Sequence, residues 1–531
     1  MTLELTGQSI IGYKSGSGSG EKLEGLNPAT GENLKPLYYA ATNEEVNEAA
    51  SLAASAFESF SRLSPSKRAE FLRQIAANIE ALGDVLTERA SAETGLPVAR
   101  IQGESARTCG QLRLFADLVS EGSWVDARID RAMPERKPLP RPDIRSMLRP
   151  VGPVVVFCAS NFPLAFSVAG GDTASAFAAG CTVIVKAHHA HPGTAEMVGQ
   201  AVRNAAKQLE LPDGVFSLLY GSGTGVGVAL VKHPLIKAGG FTGSRSGGRA
   251  LFDAASSRPE PIPFYAEMSS VNPVFILPEA MSQRTAQIAQ GLHGSVTLGA
   301  GQFCTKPGLV FVESTPKASE FASVLGGLMA TTPEFTMLTP GIRSSYEKGV
   351  SSRVSSAAVA TVARKEVDCG PGKATAGTAL FETNAESYLG NSELSEEVFG
   401  PSTLLIKYSG REQMLHLART LEGHLTATVH GTDNDMATAA DLIAILEDKV
   451  GRIVFNGYPT GVEVCHAMVH GGPYPATTDG RSTSVGTRAI FRFTRQICYQ
   501  SSPDIALPDE LKAANPLGIW RLVDGELSKD S

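Results

Sequence analysis

The sequence lacks a basic excess, a long apolar run and an export signal, and each absence excludes a class of protein. Its 531 residues include 47 Lys and Arg against 54 Asp and Glu, a formal net charge of -7, which disfavours a general nucleic-acid binder. No apolar run approaches the roughly 18–20 residues that a membrane span needs. Residues 1–15 contain neither a basic n-region nor a long apolar h-region. We therefore expect a cytoplasmic protein that binds neither nucleic acid nor membrane.

Paired cysteines are also missing. The seven cysteines are scattered and never form a C-x-x-C pair: Cys109, Cys158, Cys181, Cys304, Cys369, Cys465 and Cys498. This pattern favours reduced thiols over a disulfide framework or a zinc site. The histidines of His188-His189-x-His191 lie close together, but a metal site needs three or four converging ligands, so no metal is expected.

The chain is long enough for several domains, and its patterning predicts an α/β fold. Residues 42–119 have helical periodicity. After Val151, short apolar runs such as Val154–Phe157 alternate with helical stretches. This alternation predicts right-handed crossovers and a doubly wound parallel sheet, and a further α/β segment begins near residue 271. In residues 487–494 polar and apolar side chains alternate, which predicts a further strand.

One thiol has an unusual setting. The stretch Gly301-Gln-Phe-Cys304-Thr contains no charged residue before Lys306. A lone cysteine is most often a small buried hydrophobe and chemically inert. The interpretation of Cys304 therefore depends on the residues at the carboxyl ends of the predicted strands, where ligands of such sheets bind.

Two of those residues suit acyl chemistry. Asn161 follows a predicted buried strand, and its amide can donate to a developing oxyanion; the alternative is an asparagine in a turn. Glu267 ends the apolar run that begins at Phe264. An unpaired carboxylate there would have a raised pKa, as a general base near neutral pH requires; the alternative is a carboxylate paired with a lysine or arginine.

Two further features suit a nucleotide. Lys186 ends an apolar strand and can reach a ribose or phosphate, although a strand-end lysine that extends to solvent is an equal alternative. The turn Phe241-Thr-Gly243-Ser244 opens a helix whose N–H groups suit a phosphate, but it lacks the G-x-G-x-x-G spacing. Together, the thiol, carboxylate, amide and turns indicate thioester chemistry coupled to hydride transfer.

In these motifs the chain resembles the aldehyde dehydrogenase superfamily over nearly its whole length. A sixth motif, Glu397-Val-Phe399-Gly-Pro401, completes the family's order. The resemblance implies that Cys304 attacks an aldehyde while the Asn161 amide and the Cys304 N–H hold the oxyanion. Hydride transfer would leave a thioester, which water activated by Glu267 would hydrolyse. Lys186 and Glu397 would hold cofactor ribose, and Phe399 would pack near the nicotinamide.

The resemblance also implies a division into domains. A cofactor-binding domain would comprise residues 1–130 and 151–266, and an α/β catalytic domain residues 267–480. Residues 131–150, within a stretch rich in proline and arginine, and residues 481–531 would form a small oligomerisation β element and the C-terminal tail. A homodimer or homotetramer is expected.

Three departures from the family pattern bear on cofactor and substrate. His189 replaces the carboxylate that commonly follows the strand lysine by three residues, which favours or at least permits NADP, with NAD possible. Met268-Ser-Ser270 follows Glu267 in place of Leu-Gly-Gly, and Ser160 replaces an aromatic residue. The last two resemble the branch of NADP-dependent fatty aldehyde dehydrogenases and 2-oxoglutarate semialdehyde (2,5-dioxopentanoate) dehydrogenases. Residues 110–116 and 160–172 resemble the second group.

The predicted substrate is therefore 2-oxoglutarate semialdehyde. Phe162 and Phe166, four residues apart, would line the substrate tunnel on one helix face, although core packing is an equal alternative for Phe166. A distant carboxylate needs a cation, and Arg113 is the candidate, with a solvated helix-face arginine as the alternative.

Other functions remain open at this point. A long-chain fatty aldehyde dehydrogenase would use the same chemistry. A CoA-acylating enzyme would not need Glu267 to activate water. A non-catalytic structural relative would have no need to retain Cys304, Glu267 and Asn161.

Overall fold

A computed structural model describes residues 4–530 of the chain. Its helices commonly begin at a capping side chain or at proline. Thr42 and Glu45 form the predicted capping box, each side chain accepting from the other's backbone N–H, and Ser64 caps the helix that begins at Pro65. The α-helices are Asn43–Phe60, Pro65–Glu80, Gly83–Thr94, Val98–Glu121, Gly171–Ala179, Pro192–Gln208, Val228–Lys232, Arg245–Ser256, Pro278–Thr297, Pro316–Thr331, Pro340–Ser355, Ala385–Leu389, Gly410–Thr420, Asp433–Ala437 and Ala440–Glu447. Every helix among residues 4–530 is too short or too polar to cross a membrane.

A seven-stranded sheet, the first sheet, confirms the predicted doubly wound pattern. Five strands pair in parallel and two short strands add antiparallel at one edge. Val154 and Val156 pack into one core cluster and Val155 and Phe157 into another, so the sheet is covered on both faces. The strands in spatial order are Phe264–Glu267, Ala238–Thr242, Val154–Phe157, Val183–Lys186, Phe216–Leu219, Ile10–Ile11 and Lys14–Ser15.

A second seven-stranded sheet forms the later α/β part. It is parallel except for its first strand. Its strands in spatial order are Ala360–Arg364, Ala379–Asn384, Ser402–Tyr408, Leu309–Glu313, Val274–Ile276, His424–His430 and Val450–Phe455. Two strand pairs lie apart from it, Lys22–Leu26 with Asn33–Tyr39 and Phe335–Thr336 with Thr375–Ala376.

A five-stranded sheet contains the strands Thr494–Gln500, Ile144–Pro150, Arg128–Asp130, Arg521–Val523 and Glu526–Ser528. The prediction of a strand at residues 487–494 is wrong, because Thr487–Phe493 is a 3₁₀-helix. Ile490 and Phe493, three residues apart, both enter the core, which suits the three-residue turn of a 3₁₀-helix. Arg492 in this helix donates to buried Asp172 at 2.6 Å.

Candidate active site

Cys304 follows a loop with an unusual backbone. Gly299, Ala300 and Gly301 have φ values of 56°, 59° and 64°, the left-handed region that costs a residue with a side chain about 1–2 kcal/mol. A Cβ on Gly301 would lie 2.3 Å from the carbonyl oxygen of Gly400, so only glycine fits there. The position of the thiol is therefore set by the close approach of these two backbone segments.

Asn272 holds the backbone of the same loop. This residue is fully buried and has a φ of 47°. Its Nδ2 donates to the carbonyl oxygens of Cys304 at 2.8 Å and Lys306 at 3.0 Å. Asn272 could not be predicted from the sequence, because an asparagine between two predicted strands carries no signal distinct from that of an ordinary turn residue.

Asn161 lies beside the thiol loop, beyond the strand Val154–Phe157. Its Nδ2 donates to the carbonyl oxygen of Gln302 at 2.9 Å. An amide nitrogen carries two N–H groups, so the second can donate to an oxyanion formed at Cys304. The structure thus brings the predicted amide and the predicted nucleophile together.

Glu267 ends the first-sheet strand Phe264–Glu267 and faces Cys304 together with His470. Nε2 of His470 lies 3.0 Å from Oε1 of Glu267 and 3.5 Å from Sγ of Cys304. Ser484 Oγ donates to Oε2 of Glu267 at 2.7 Å. His470 and Glu267 are 1% and 4% exposed. A thiol, an imidazole and a carboxylate are thereby assembled in one buried cluster.

The expectation of a raised pKa for Glu267 is wrong. Burial raises this pKa, but the charge and hydrogen bond of His470, with the hydrogen bond of Ser484, outweigh it and lower the pKa below its usual value. The pKa of Cys304 is raised well above its usual value by burial and by the negative charge of Glu267, while Arg107 opposes the increase. The carboxylate is thus kept ionised and the thiol protonated.

His470 and Ser484 were not found from the sequence. They lie in an irregular stretch where Ser484 N–H donates to the His470 carbonyl at 2.8 Å and His470 N–H donates to Thr483 Oγ1 at 2.8 Å. No periodicity marks such residues. Ligand atoms of Glu267, Cys304 and His470 lie within 4.8 Å of one another, close enough to hold a metal ion, but their mutual hydrogen bonds account for this spacing without one.

Phe162 and Phe166 pack with Phe303 in an apolar cluster beside the thiol loop. The ring centroid of Phe162 lies 5.2 Å from that of Phe166 and 5.3 Å from that of Phe303. Phe162 and Phe166 were predicted to lie on one helix, but that helix begins only at Gly171. A single turn closed by Phe166 N–H to the Phe162 carbonyl places the two rings together instead.

Arg113 does not fit its predicted role. Its guanidinium donates two 2.6 Å hydrogen bonds to the carboxylate of Glu80, and both side chains are about half exposed. The geometry places this arginine in a surface ion pair between two helices. The solvated alternative therefore describes Arg113 better than the substrate-binding one.

A cleft of about 580 Å³ contains two of the predicted cofactor residues, Ser244 and Glu397. Ser244 caps the helix Arg245–Ser256 by accepting from Gly247 N–H at 3.2 Å. A helix N-terminus favours a phosphate, and a carboxylate accepts from ribose hydroxyls, so the donor set of this cleft fits a dinucleotide. Burial raises the pKa of Glu397 and lowers that of Lys306, while each charge opposes the shift of the other.

The other predicted cofactor residues are not among those that line this cleft. Lys186 is buried at the end of the strand Val183–Lys186, and His189 follows it with its ring stacked 4.4 Å from that of His188. Gly243 N–H donates to the carbonyl oxygen of Glu267 at 3.0 Å, which joins the turn at residues 241–244 to the strand that ends at Glu267. Phe399 is half-buried beyond Glu397.

Comparisons with known proteins agree with this geometry. Residues 14–490 match the aldehyde dehydrogenase family. The alpha-ketoglutaric semialdehyde dehydrogenase 2 of Azospirillum brasilense is 50% identical over 528 residues, 99% of this chain and 100% of the relative. The alpha-ketoglutaric semialdehyde dehydrogenase of Acinetobacter baylyi is 46% identical over the same lengths. The solved aldehyde dehydrogenase KauB of Pseudomonas aeruginosa, 20% identical, shares the fold with a TM-score of 0.81 over 94% of this chain and 97% of its own.

Proposed function

The chain belongs to the aldehyde dehydrogenase family, and on that premise we propose that it oxidises an aldehyde to a carboxylic acid through a thioester on Cys304. One observation carries this proposal. Cys304, His470 and Glu267 form a single hydrogen-bonded cluster, and Asn161 is bonded to the loop of the same thiol. The arrangement supplies a nucleophile, a base and an oxyanion donor.

In the first step, Sγ of Cys304 attacks the carbonyl carbon. The thiol has a raised pKa and must lose its proton, and the His470–Glu267 pair lies within reach to receive it. The developing oxyanion accepts from the Asn161 amide and from the Cys304 N–H. The C–H bond of the former aldehyde carbon then breaks and the adduct becomes a thioester; NAD(P)⁺, when bound in the cleft, would supply the acceptor for the departing hydride.

In the second step, Glu267 removes a proton from the water that hydrolyses the thioester. A general base must be ionised at the working pH, and the lowered pKa of Glu267 provides this. His470 holds the carboxylate in place through the contact of its Nε2 with Oε1 of Glu267. The carboxylic acid leaves and Cys304 is restored.

We propose 2-oxoglutarate semialdehyde, also called alpha-ketoglutaric semialdehyde, as the substrate. The support is the name shared by two relatives that are 46% and 50% identical over 99% of the chain. A long-chain fatty aldehyde is the second candidate, since Phe162, Phe166 and Phe303 form an apolar lining. Two arginines that border this lining favour an anionic substrate over an entirely apolar one.

For the cofactor we propose that NADP is used at least as well as NAD. The family uses NAD(P)⁺, and His189 offers no negative charge to repel a 2′-phosphate.

We also propose a division into three domains: residues 1–130 with 151–266, residues 267–480, and residues 131–150 with 481–531. The first two parts contain the parallel strands of one sheet each, which supports it. A homodimer or homotetramer in the cytoplasm completes the proposal, supported for location by seven free thiols.

A panel of kcat/KM values tests the proposal. The substrates are 2-oxoglutarate semialdehyde, pentanal and decanal, each with NADP and NAD. We expect the keto acid aldehyde to exceed both plain aldehydes by about tenfold or more. An optimum at decanal would instead identify a fatty aldehyde dehydrogenase. A value with NAD about tenfold above that with NADP would contradict the cofactor proposal.

A further inference from the structure

Two arginines of the helix Val98–Glu121 lie against the aromatic cluster beside Cys304. The guanidinium carbon of Arg100 is 4.7 Å from the Phe162 ring centre and 4.8 Å from that of Phe303. That of Arg107 is 5.5 Å from the Phe166 ring centre and 6.0 Å from that of Phe162. All four distances are within the range of cation–π contact. Both cations therefore border the apolar cluster beside the thiol loop.

The two arginines differ in their partners. Arg100 donates to Glu104 Oε2 at 3.2 Å, and Glu104 Oε1 accepts from the N–H groups of Leu164 and Ala165. Within residues 4–530, Nε and Nη2 of Arg107 are buried and lack a hydrogen-bond partner. Buried donors without acceptors are costly, and a ligand that accepts from them removes that cost.

The identity of these two nitrogens matters. Nε and Nη2 form one straight edge of the planar guanidinium, and their N–H groups point in the same direction. This edge matches the two oxygens of a carboxylate, which arginine binds through two parallel hydrogen bonds. The open edge of Arg107 thus indicates a planar, two-oxygen anion.

In the described part of the chain, the groups around Arg107 do not accept hydrogen bonds from its Nε–Nη2 edge. The titratable groups that act on Arg107 are Glu104, Cys304, Arg100 and Glu463. Glu104 already accepts from Arg100 and two backbone N–H groups. Another cation near the thiol, Arg452, donates to the carbonyl oxygens of Pro459 and Gly461 and so supports the loop that contains Glu463.

We propose that the Nε–Nη2 edge of Arg107 binds the carboxylate at the far end of the substrate, and so selects aldehydes that are also 2-oxo acids or similar carboxylates. The inference rests on the proposed function, since it assigns the specificity of the same site. Arg107 takes the role that the sequence analysis gave to Arg113. Arg113 is six residues further along the helix, which turns it by about 600° onto another face.

Three variants test this role: Arg107→Gln, Arg107→Lys and, as a matched control on the same helix, Arg113→Gln. The substrates are 2-oxoglutarate semialdehyde and pentanal, which has the same number of carbons. We expect Arg107→Gln to raise KM for the keto acid aldehyde by about 10- to 100-fold. With pentanal we expect a much smaller loss, which comes only from removal of the charge that opposes the raised pKa of Cys304. Arg107→Lys should lose part of this selectivity, since an ammonium cannot form the parallel pair. Arg113→Gln should match the wild type.

Product inhibition provides a second readout. 2-Oxoglutarate, the product, is tested as an inhibitor of pentanal oxidation. In Arg107→Gln its inhibition constant should rise by a factor similar to the rise in KM for 2-oxoglutarate semialdehyde. Equal losses on both aldehydes, with an unchanged inhibition constant, would overturn the assignment and make Arg107 a residue that acts on Cys304. Normal pentanal turnover shows that a variant is folded; if Arg107→Gln fails to fold, Arg107→Lys is compared in the same two assays. A wild type without preference between the aldehydes would refute the proposed function itself, and this is measured before any variant.

Discussion

Nε2 of His470 lies 3.0 Å from Oε1 of Glu267, and this contact lowers the pKa of a carboxylate whose pKa burial alone would raise. The same nitrogen lies 3.5 Å from Sγ of Cys304. One imidazole therefore contacts both the nucleophile and the base. Its removal should alter the chemistry of both residues.

Substitution of His470 should change the pH range of activity. His470→Leu removes the charge and hydrogen bond that lower the pKa of Glu267, while burial, which raises it, stays. More of the carboxylate is then protonated at a given low pH, so the acid limb of kcat against pH should move up by about one unit or more. Ser484→Ala, which removes one hydrogen bond to Glu267 and keeps the His470 imidazole, should move the acid limb less. An acid limb that stays in place would show that His470 does not control Glu267.

Glu267→Gln should separate the two chemical steps. Acyl-enzyme formation still has Cys304, the Asn161 amide and His470, which remains within reach of the thiol proton, whereas thioester hydrolysis loses its base. Steady-state turnover should fall by about 10²- to 10⁴-fold, while a rapid burst of about one reduced cofactor per active site persists. Stopped-flow absorbance measures both. Loss of the burst together with turnover would assign Glu267 to the first step as well.

The same substitution should make the free thiol more acidic. Burial and the negative charge of Glu267 both raise the pKa of Cys304, so removal of the charge lowers it. At pH 8, each unit of decrease gives about tenfold more thiolate and a correspondingly faster alkylation by iodoacetamide. Rates are measured without cofactor from pH 7 to 10. Glu422→Gln, at the surface beside Arg245, provides the control and should leave the profile unchanged.

Cofactor choice should respond to His189. His189→Glu places a carboxylate three residues after Lys186, where it can accept from ribose hydroxyls and repel a 2′-phosphate. The ratio of kcat/KM for NADP to that for NAD should fall by about tenfold or more. His189→Gln, which adds no charge, should change the ratio much less. Equal ratios in the two variants would show that the adenosine end binds elsewhere.

The buried Lys306 should contribute strongly to stability. Its Nζ donates to the carbonyl oxygens of Val398 and Ser402 at 3.0 Å each, and Glu397 lies close enough to affect its pKa. Lys306→Met leaves these groups without their cation, which we expect to lower the free energy of unfolding by about 3–5 kcal/mol. Urea denaturation measures this. Lys317→Met, which removes an exposed pair with Glu320, should cost at most about 1 kcal/mol.

Asn161, Glu267 and Lys186 could be predicted because each follows an apolar strand, and the carboxyl ends of parallel strands share one edge of the sheet. His470 could not, since hydrogen bonds with Thr483 and Ser484, and no periodic element, place it beside the thiol. The contact of His470 with Glu267 also explains why the pKa of Glu267 is lowered and not raised as predicted.

The residues proposed to bind the substrate could also be predicted only in part. The four-residue spacing of Phe162 and Phe166 gave the correct contact but the wrong element, because one helical turn suffices to bring the rings together. Helical periodicity places Arg107 and Arg113 on different faces of one helix. It does not tell which face meets the aromatic cluster, since that depends on how Glu104 bonds to the backbone of residues 164 and 165.

The close approach of Gly301 to Gly400 has a mechanical consequence. A Cβ added at Gly301 would lie 2.3 Å from the opposing oxygen, so the two segments are in direct backbone contact. One segment leads to Cys304 and the other follows Glu397 and Phe399. A larger residue at Gly301 would therefore push the two segments apart and displace the thiol and the Glu397 carboxylate together.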